Sequence, residues 1–112
     1  VNPGRAEVWL VDFGDPVGRE QSGRRPAVVV SADALNHSRA GVVVVVPTTT
    51  TARGLPSHVE IERRGSGLDE TSYAKCEDVK SISEQRLIAQ VGAVGEEAMF
   101  EIARALRFLL DL

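Results

Sequence analysis

The sequence holds a single cysteine, Cys76, among its 112 residues. No internal disulfide can form, which excludes a secreted disulfide scaffold and fits a reducing, intracellular setting. Long apolar runs are also missing. The longest is Val42–Val46, far short of the ~20 residues that span a bilayer. No charged-then-apolar leader opens the chain, so no secretion signal is expected. There is no CxxC pair, no HExxH and no glycine-rich loop leading into a helix, so neither a metal nor a cofactor is expected. No internal repeat or low-complexity tract appears.

What remains is the make-up of one globular domain over residues 1–112. Apolar residues are 43% and charged residues 26%, ordinary values for a folded chain of this size. The formal charge of −3 argues against nucleic acid at first sight, but it hides an asymmetry. Residues 1–64 hold eight Arg against seven acids, whereas residues 65–112 hold five basic residues against nine acids. Arg19, Arg24 and Arg25 fall within seven positions. A solvated loop accounts for such a cluster; so does a local grip on phosphate, for which the planar guanidinium is suited. Non-specific binding of long nucleic acid is not expected from so acidic a chain.

Hydrophobic periodicity predicts several short strands and one long helix. Val8–Phe13 alternates, with Trp9, Val11 and Phe13 on one side. Gly14–Gly18 is turn chemistry. Pro26 is expected to open a strand over Ala27–Val30. Ser31–Asn36 fits one or two helical turns with Ser31 as N-cap. Val42–Val46 reads as a strand buried on both faces and stopped by Pro47. Further strands are expected over His58–Glu62 and Ser72–Val79, with Gly65–Gly67 a turn, Ser81–Arg86 a connector and Ile88–Val91 a last short strand. Met99, Ile102, Ala103, Leu106, Leu109 and Leu110 share one side of a C-terminal amphipathic helix. Phe108 falls among its charges, where a partner contact would explain it. Together these predict a mainly β fold with a C-terminal α-helix, a small, strongly bent antiparallel sheet or SH3-like barrel covered by that helix.

Chemistry is sparse. His37 and His58 read as surface or strand-face residues, and Cys76 as core. The polar groups on strand ends are Glu20, Gln21 and Arg25 in one loop and Thr48–Thr51 at the end of the valine strand. Arg25 and a Thr hydroxyl aimed at one point would suit a phosphoryl group, the guanidinium meeting developing charge.

The runs Val8–Phe13 (VWLVDF), Gly18–Val30 (GREQSGRRPAVVV), Val45–Thr49 (VVPTT), Leu55–Glu60 (LPSHVE) and Lys75–Ile82 (KCEDVKSI), in that order, resemble the MazF/PemK toxin family. The most specific stretch is Gly-x-Glu-Gln-x-Gly-x-Arg-Pro, from Gly18 to Pro26. The resemblance implies a homodimeric barrel of the MazF/PemK/CcdB type, cytoplasmic in a bacterium. It implies a metal-independent endoribonuclease that cuts single-stranded mRNA at short motifs, leaving 2′,3′-cyclic phosphate and 5′-hydroxyl ends. It further implies a cognate antitoxin that blocks the site and binds DNA together with the toxin. By the same resemblance Arg25 and Thr48 are catalytic, Glu20 is the third catalytic candidate, and Arg19, Gln21, Arg24, Thr49, Glu77 and Lys80 contact RNA. Glu77 can also pair with Lys80 structurally. Some relatives carry His where Arg19 stands. With five aromatic residues, bases are expected to be read by polar edges and backbone rather than by stacking on rings. The alternative is a poison of DNA gyrase of the CcdB kind, without nuclease chemistry. An SH3-like module whose Arg cluster binds acidic peptides is a third reading.

Overall fold

The computed structural model describes residues 1–15, 18 and 22–112; Pro16, Val17, Arg19, Glu20 and Gln21 lie outside the described residues. Among the described residues seven strands form the sheet: β1 Glu7–Asp12, β2 Arg24–Val29, β3 Val42–Thr49, β4 His58–Ile61, β5 Ser72–Lys75, β6 Lys80–Ser83 and β7 Leu87–Ala93. Two α-helices accompany them, α1 Asp33–Asn36 and α2 Glu96–Leu110. Every pairing is antiparallel, in the order β4-β5-β3-β2-β1-β7, and β6 joins β3 separately. The expected bent antiparallel sheet with a terminal helix is therefore present.

β3 organises the pairing. One edge carries β2 through Val45–Pro47. The other edge carries two strands in turn, β6 along Val42–Val45 and β5 at Thr48 and Thr49. Pro47 does not stop the strand, as expected from sequence, because it stands in the gap between β6 and β5. A residue without an N–H is tolerated where the ladder is interrupted. Pro26 likewise lies inside β2, opposite Leu10, rather than opening it.

The alternation of side chains divides the interior in two. Val8, Val28, Val46, Ala74 and Ile61 face α2 and pack on Met99 and Ile102. Trp9, Val11, Phe13, Ala27, Val29, Val43, Val45, Ile82 and Leu87 form a second core on the opposite side of the sheet. The helix is buried through Met99 and Ile102, while Leu109 and Leu110 reach solvent with Phe108 beside them. Among the described residues no helix is long and apolar enough to cross a membrane.

Three other expectations are corrected. The cap position of α1 is Ala32, and the Ser31 side chain does not cap it. Its hydroxyl instead bonds the Asn36 side chain and accepts from Val44 N at 3.0 Å, tying α1 to β3. The single strand expected over Ser72–Val79 breaks at a 3₁₀ turn, Cys76–Asp78, where buried Cys76 donates its backbone N–H to Ser57 O at 3.1 Å. That turn carries the chain from β5 to β6. The supposed connector Ser81–Arg86 is then mostly β6 followed by a second 3₁₀ turn, Glu84–Arg86, and the last strand extends over Leu87–Ala93.

The turn at Gly65–Gly67 is pressed on the backbone of β7. A Cβ at Gly92 would lie 2.3 Å from the carbonyl of Ser66, and one at Gly67 would lie 1.8 Å from Val91 O. Neither backbone contact can yield cheaply. Gly92→Ala should therefore cost about 3 kcal/mol or more, lowering the melting temperature sharply; a melt within a few degrees of the parent would show that this packing is looser than described.

Candidate active site

The polar side chains meet around the end of β1. Asp12 Oδ1 accepts from Gly14 N at 2.9 Å, and Gly14, at φ +78°, adopts the left-handed backbone that closes this turn. Phe13 N donates to Gly23 O at 2.9 Å, and Gly23 N to Gly14 O at 2.8 Å. Those bonds fix the base of the β1–β2 loop. Arg25 stands opposite Val11 and Arg24 opposite Asp12. The Arg25 Nε donates to Ser22 O at 3.0 Å, which orients the exposed guanidinium; among the described residues its outer nitrogens have no hydrogen-bond partner. Lys80, on β6, holds its Nζ 5.8 Å from the centre of the buried Phe13 ring. Among the described residues neither Arg25 nor Lys80 has a carboxylate in ion-pair range.

Thr48 sits one register step from Arg25, on the neighbouring strand. It is 4% exposed, and its hydroxyl donates to Pro26 O at 2.9 Å. Alternation turns Thr48 towards the Val46 and Ala74 side, whereas Arg25 follows Ala27 and Thr49 follows Val45 on the other. Thr48 and Thr49 thus present hydroxyls to both sides of the strand end. Beside them lies a small cavity of about 180 Å³ bounded by Pro26, Thr48–Thr50, Leu68, Asp69, Glu70 and Ser72. The structure therefore brings Arg24, Arg25 and Lys80 to the β1 end, with Thr48 and Thr49 on the adjoining strand. Arg19, Glu20 and Gln21 fall outside the described residues.

Glu77 does not pair with Lys80. Its carboxylate meets His58 Nε2 at 2.8 Å, and the His58 side chain is only 3% exposed. From sequence His58 reads as a surface or strand-face residue of a half-exposed strand, on the same side as Glu60. The Cys76–Asp78 turn folds over that side and buries it, a long-range event with no local signal. Among the described residues His58 Nδ1 has no partner. Burial pushes Glu77 up, but the His58 hydrogen bond and neighbouring donors outweigh it and hold the carboxyl below its ordinary value. Lys75 pairs with Asp78 at 3.0 Å. Burial, with the nearby Glu77 charge, pushes the Cys76 thiol up to about 12, so it is no nucleophile. Among the described residues no group of three or more His, Cys, Asp or Glu side chains is placed to hold a metal ion.

A second concavity, about 1050 Å³, runs between β4 and α2. Its lining is acidic: Glu60, Glu62, Glu96, Glu97 and Glu101 outnumber Arg64 and Arg104. Phe108, 82% exposed, stands at its rim. The groove thus carries a net negative lining, in contrast to Arg24, Arg25 and Lys80 near the end of β1.

Comparison with known proteins identifies the family and the fold. Residues 4–110 match the family described as PemK-like, MazF-like toxin of type II toxin–antitoxin system. The chain is 35% identical to endoribonuclease MazF9 of Mycobacterium tuberculosis, over 96% of both chains. It is 31% identical to endoribonuclease EndoA of Bacillus subtilis, over 96% of this chain and 94% of that one. Its fold superposes on crystalline MazF from Deinococcus radiodurans with a TM-score of 0.86 at 25% identity, covering 100% and 99% of the two chains. An endoribonuclease from a mycobacterial species, solved in complex with its cognate antitoxin, gives 0.82 at 29% identity, covering 98% and 96%.

The His58–Glu77 pair has a signature in acid. A carboxyl with a lowered folded-state pKa contributes stability above its unfolded value and loses that contribution as pH falls through the folded one. The gap in melting temperature between the parent and Glu77→Gln should be full at neutral pH and shrink as pH drops below 4.5, the group's ordinary value. A gap independent of pH would show that the ionised carboxylate does not stabilise the fold.

Proposed function

The chain belongs to the PemK-like, MazF-like toxin family of type II toxin–antitoxin systems, and from that membership we propose a metal-independent endoribonuclease that cuts single-stranded mRNA at short sequence motifs in a bacterial cytoplasm. The observation that carries the reading is the placement of Arg25 and Lys80 at the end of β1, with Thr49 on the same side of the sheet one strand away and Arg24 and Thr48 next to them in register on the other side.

RNA supplies its own nucleophile. The 2′-oxygen attacks the adjacent phosphorus as its proton leaves to a base, the bond to the 5′-oxygen breaks, and that oxygen takes up a proton. The ends are a 2′,3′-cyclic phosphate and a 5′-hydroxyl. The protein has to align the strand, hold the extra negative charge on phosphorus and manage two protons. Arg25, oriented through Ser22 O, meets the charge. It is a poor base because a guanidinium is effectively always protonated; it can donate towards the departing oxygen. Thr48 now donates to Pro26 O, so it must swing its proton outwards to serve a phosphate oxygen, while Thr49 already shares Arg25's side of β3. Glu20 is the base in this reading. Arg19, Gln21, Arg24 and Lys80 hold the flanking nucleotides, whereas Glu77, expected among them, is engaged by His58. The cognate antitoxin lays an acidic, partly disordered segment over the same cationic surface.

The active form is a homodimer. Helix α2 is acidic at its start (Glu96, Glu97, Glu101) and basic towards its end (Arg104, Arg107). Two copies packed antiparallel about a twofold axis would match these ends reciprocally. Such packing also covers Phe108 and the acidic groove.

Arg25→Ala should lower cleavage of a long RNA by about 100- to 1000-fold with an unchanged melting temperature, and Thr48→Ala by about 10-fold with a melting temperature lowered by a few degrees, because it also removes the bond to Pro26 O. Chelation with EDTA should leave the parent rate unaltered. Full activity in both variants would overturn the assignment, and loss with EDTA would require a metal.

Phe108→Arg should shift the protein from dimer to monomer in sedimentation at micromolar concentration, because buried interface aromatics typically carry about 2 kcal/mol or more. A monomeric parent would remove the dimer from the reading.

A further inference from the structure

Arg86 closes the second 3₁₀ turn, just before β7, and it is exposed. Its Nη1 reaches across 74 positions of sequence to donate to Asp12 O at 3.1 Å. The same nitrogen lies against Gly14: a Cβ there would sit 3.4 Å from it. The guanidinium is thus held over the end of β1, where the β1–β2 loop departs. Among the described residues no acid, Asp12 included, lies in ion-pair range of Arg86. A guanidinium has five N–H donors. One backbone carbonyl uses one of them.

β1 lies between β2 and β7. Arg25 and Leu87 are its cross-strand neighbours at the same residue, Val11. Two interstrand spacings separate them, roughly 10 Å. Arg25 on one flank and Arg86 on the other therefore bracket the end of β1, within reach of neighbouring phosphates on one strand. We propose that Arg86 is a second phosphate-binding residue, holding a backbone phosphate adjacent to the one cleaved at Arg25. The inference rests on the ribonuclease reading and adds a subsite to it. Arg86 fixes where the strand runs, from β2 across the end of β1 to β7, and away from the acidic groove at α2.

The test is binding, separate from chemistry. The probe is a single-stranded RNA spanning a mapped cut site, with 2′-deoxyribose at the cleaved nucleotide so that it cannot react. Its affinity is measured over a salt series for the parent, Arg86→Gln and Arg86→Lys. Loss of one phosphate contact lowers the slope of log affinity against log salt by about 0.7 for a single strand. Arg86→Gln should show that decrease, and Arg86→Lys, which keeps the charge, should restore the parent slope. A residue that only pins Asp12 O would change neither. As a second measurement on the parent alone, a neutral methylphosphonate at each linkage in turn should weaken binding at a position next to the scissile one. An Arg86→Gln slope equal to the parent's, or no sensitive linkage besides the scissile one, would overturn the subsite while cleavage by the parent persists. A parent that cuts no RNA would sink the ribonuclease reading itself.

Discussion

The molecule depends on β3 being paired on both edges and covered on both faces. Val43 and Val45 face one core and Val46 faces the other, all with no exposed surface. Its edges receive β2 on one side and β5 and β6 on the other. A strand so enclosed must be apolar throughout, which is why five consecutive valines occur in so small a chain. The consequence for function lies at its last residues. Once Val42–Val46 is fixed, Thr48 and Thr49 can only emerge where β2 begins, beside Arg25. Core burial, not local attraction, sets the relation between hydroxyls and guanidinium.

The same economy separates charge. The chain is acidic overall, yet its acids and bases do not mix evenly. The end of β1 gathers Arg24, Arg25, Lys80 and Arg86, while five Glu line the groove between β4 and α2. A net charge of −3 keeps general affinity for polyanions low, and the local cations confine it to one surface. In the proposed reading an RNA strand is steered to the side where Arg25 stands, and the acidic side is left to a second copy of the chain.

Much of this was legible in sequence because burial leaves a period. The alternation at Trp9, Val11 and Phe13 and the helical stripe through Met99 and Ile102 both correspond to the observed cores. What was not legible came from contacts distant in the chain. Pro26 and Pro47 read as strand ends because a local rule sees only the missing N–H, not the gap between β6 and β5 that accommodates one of them. Ser31 looked like a cap because nothing nearby reveals that Val44 claims its hydroxyl. His58 read as exposed because its cover, Cys76–Asp78, arrives from another strand. Arg86 carried no motif at all; its place over Asp12 O exists only after β1 and β7 have paired. The candidate site was partly legible, through the resemblance of Gly18–Pro26 and Val45–Thr49, and its cationic setting emerges from the fold.

The site's sparseness fits the proposed reaction. Under the proposed attack by the 2′-oxygen, RNA cleavage needs no protein nucleophile and no activated water, so a buried cysteine pushed up to about 12 and a histidine locked to Glu77 can remain structural. The remaining demand is electrostatic: a phosphorus gaining charge must meet donors already in place. Arg25 is pre-oriented by a backbone carbonyl, and Arg86 is pinned by another. Side chains held in this way need little reorganisation when the phosphate arrives, which is the condition under which fixed charges lower a barrier most. A small β fold with long loops can meet it because the anchoring groups are backbone atoms of β1 and of the β1–β2 turn.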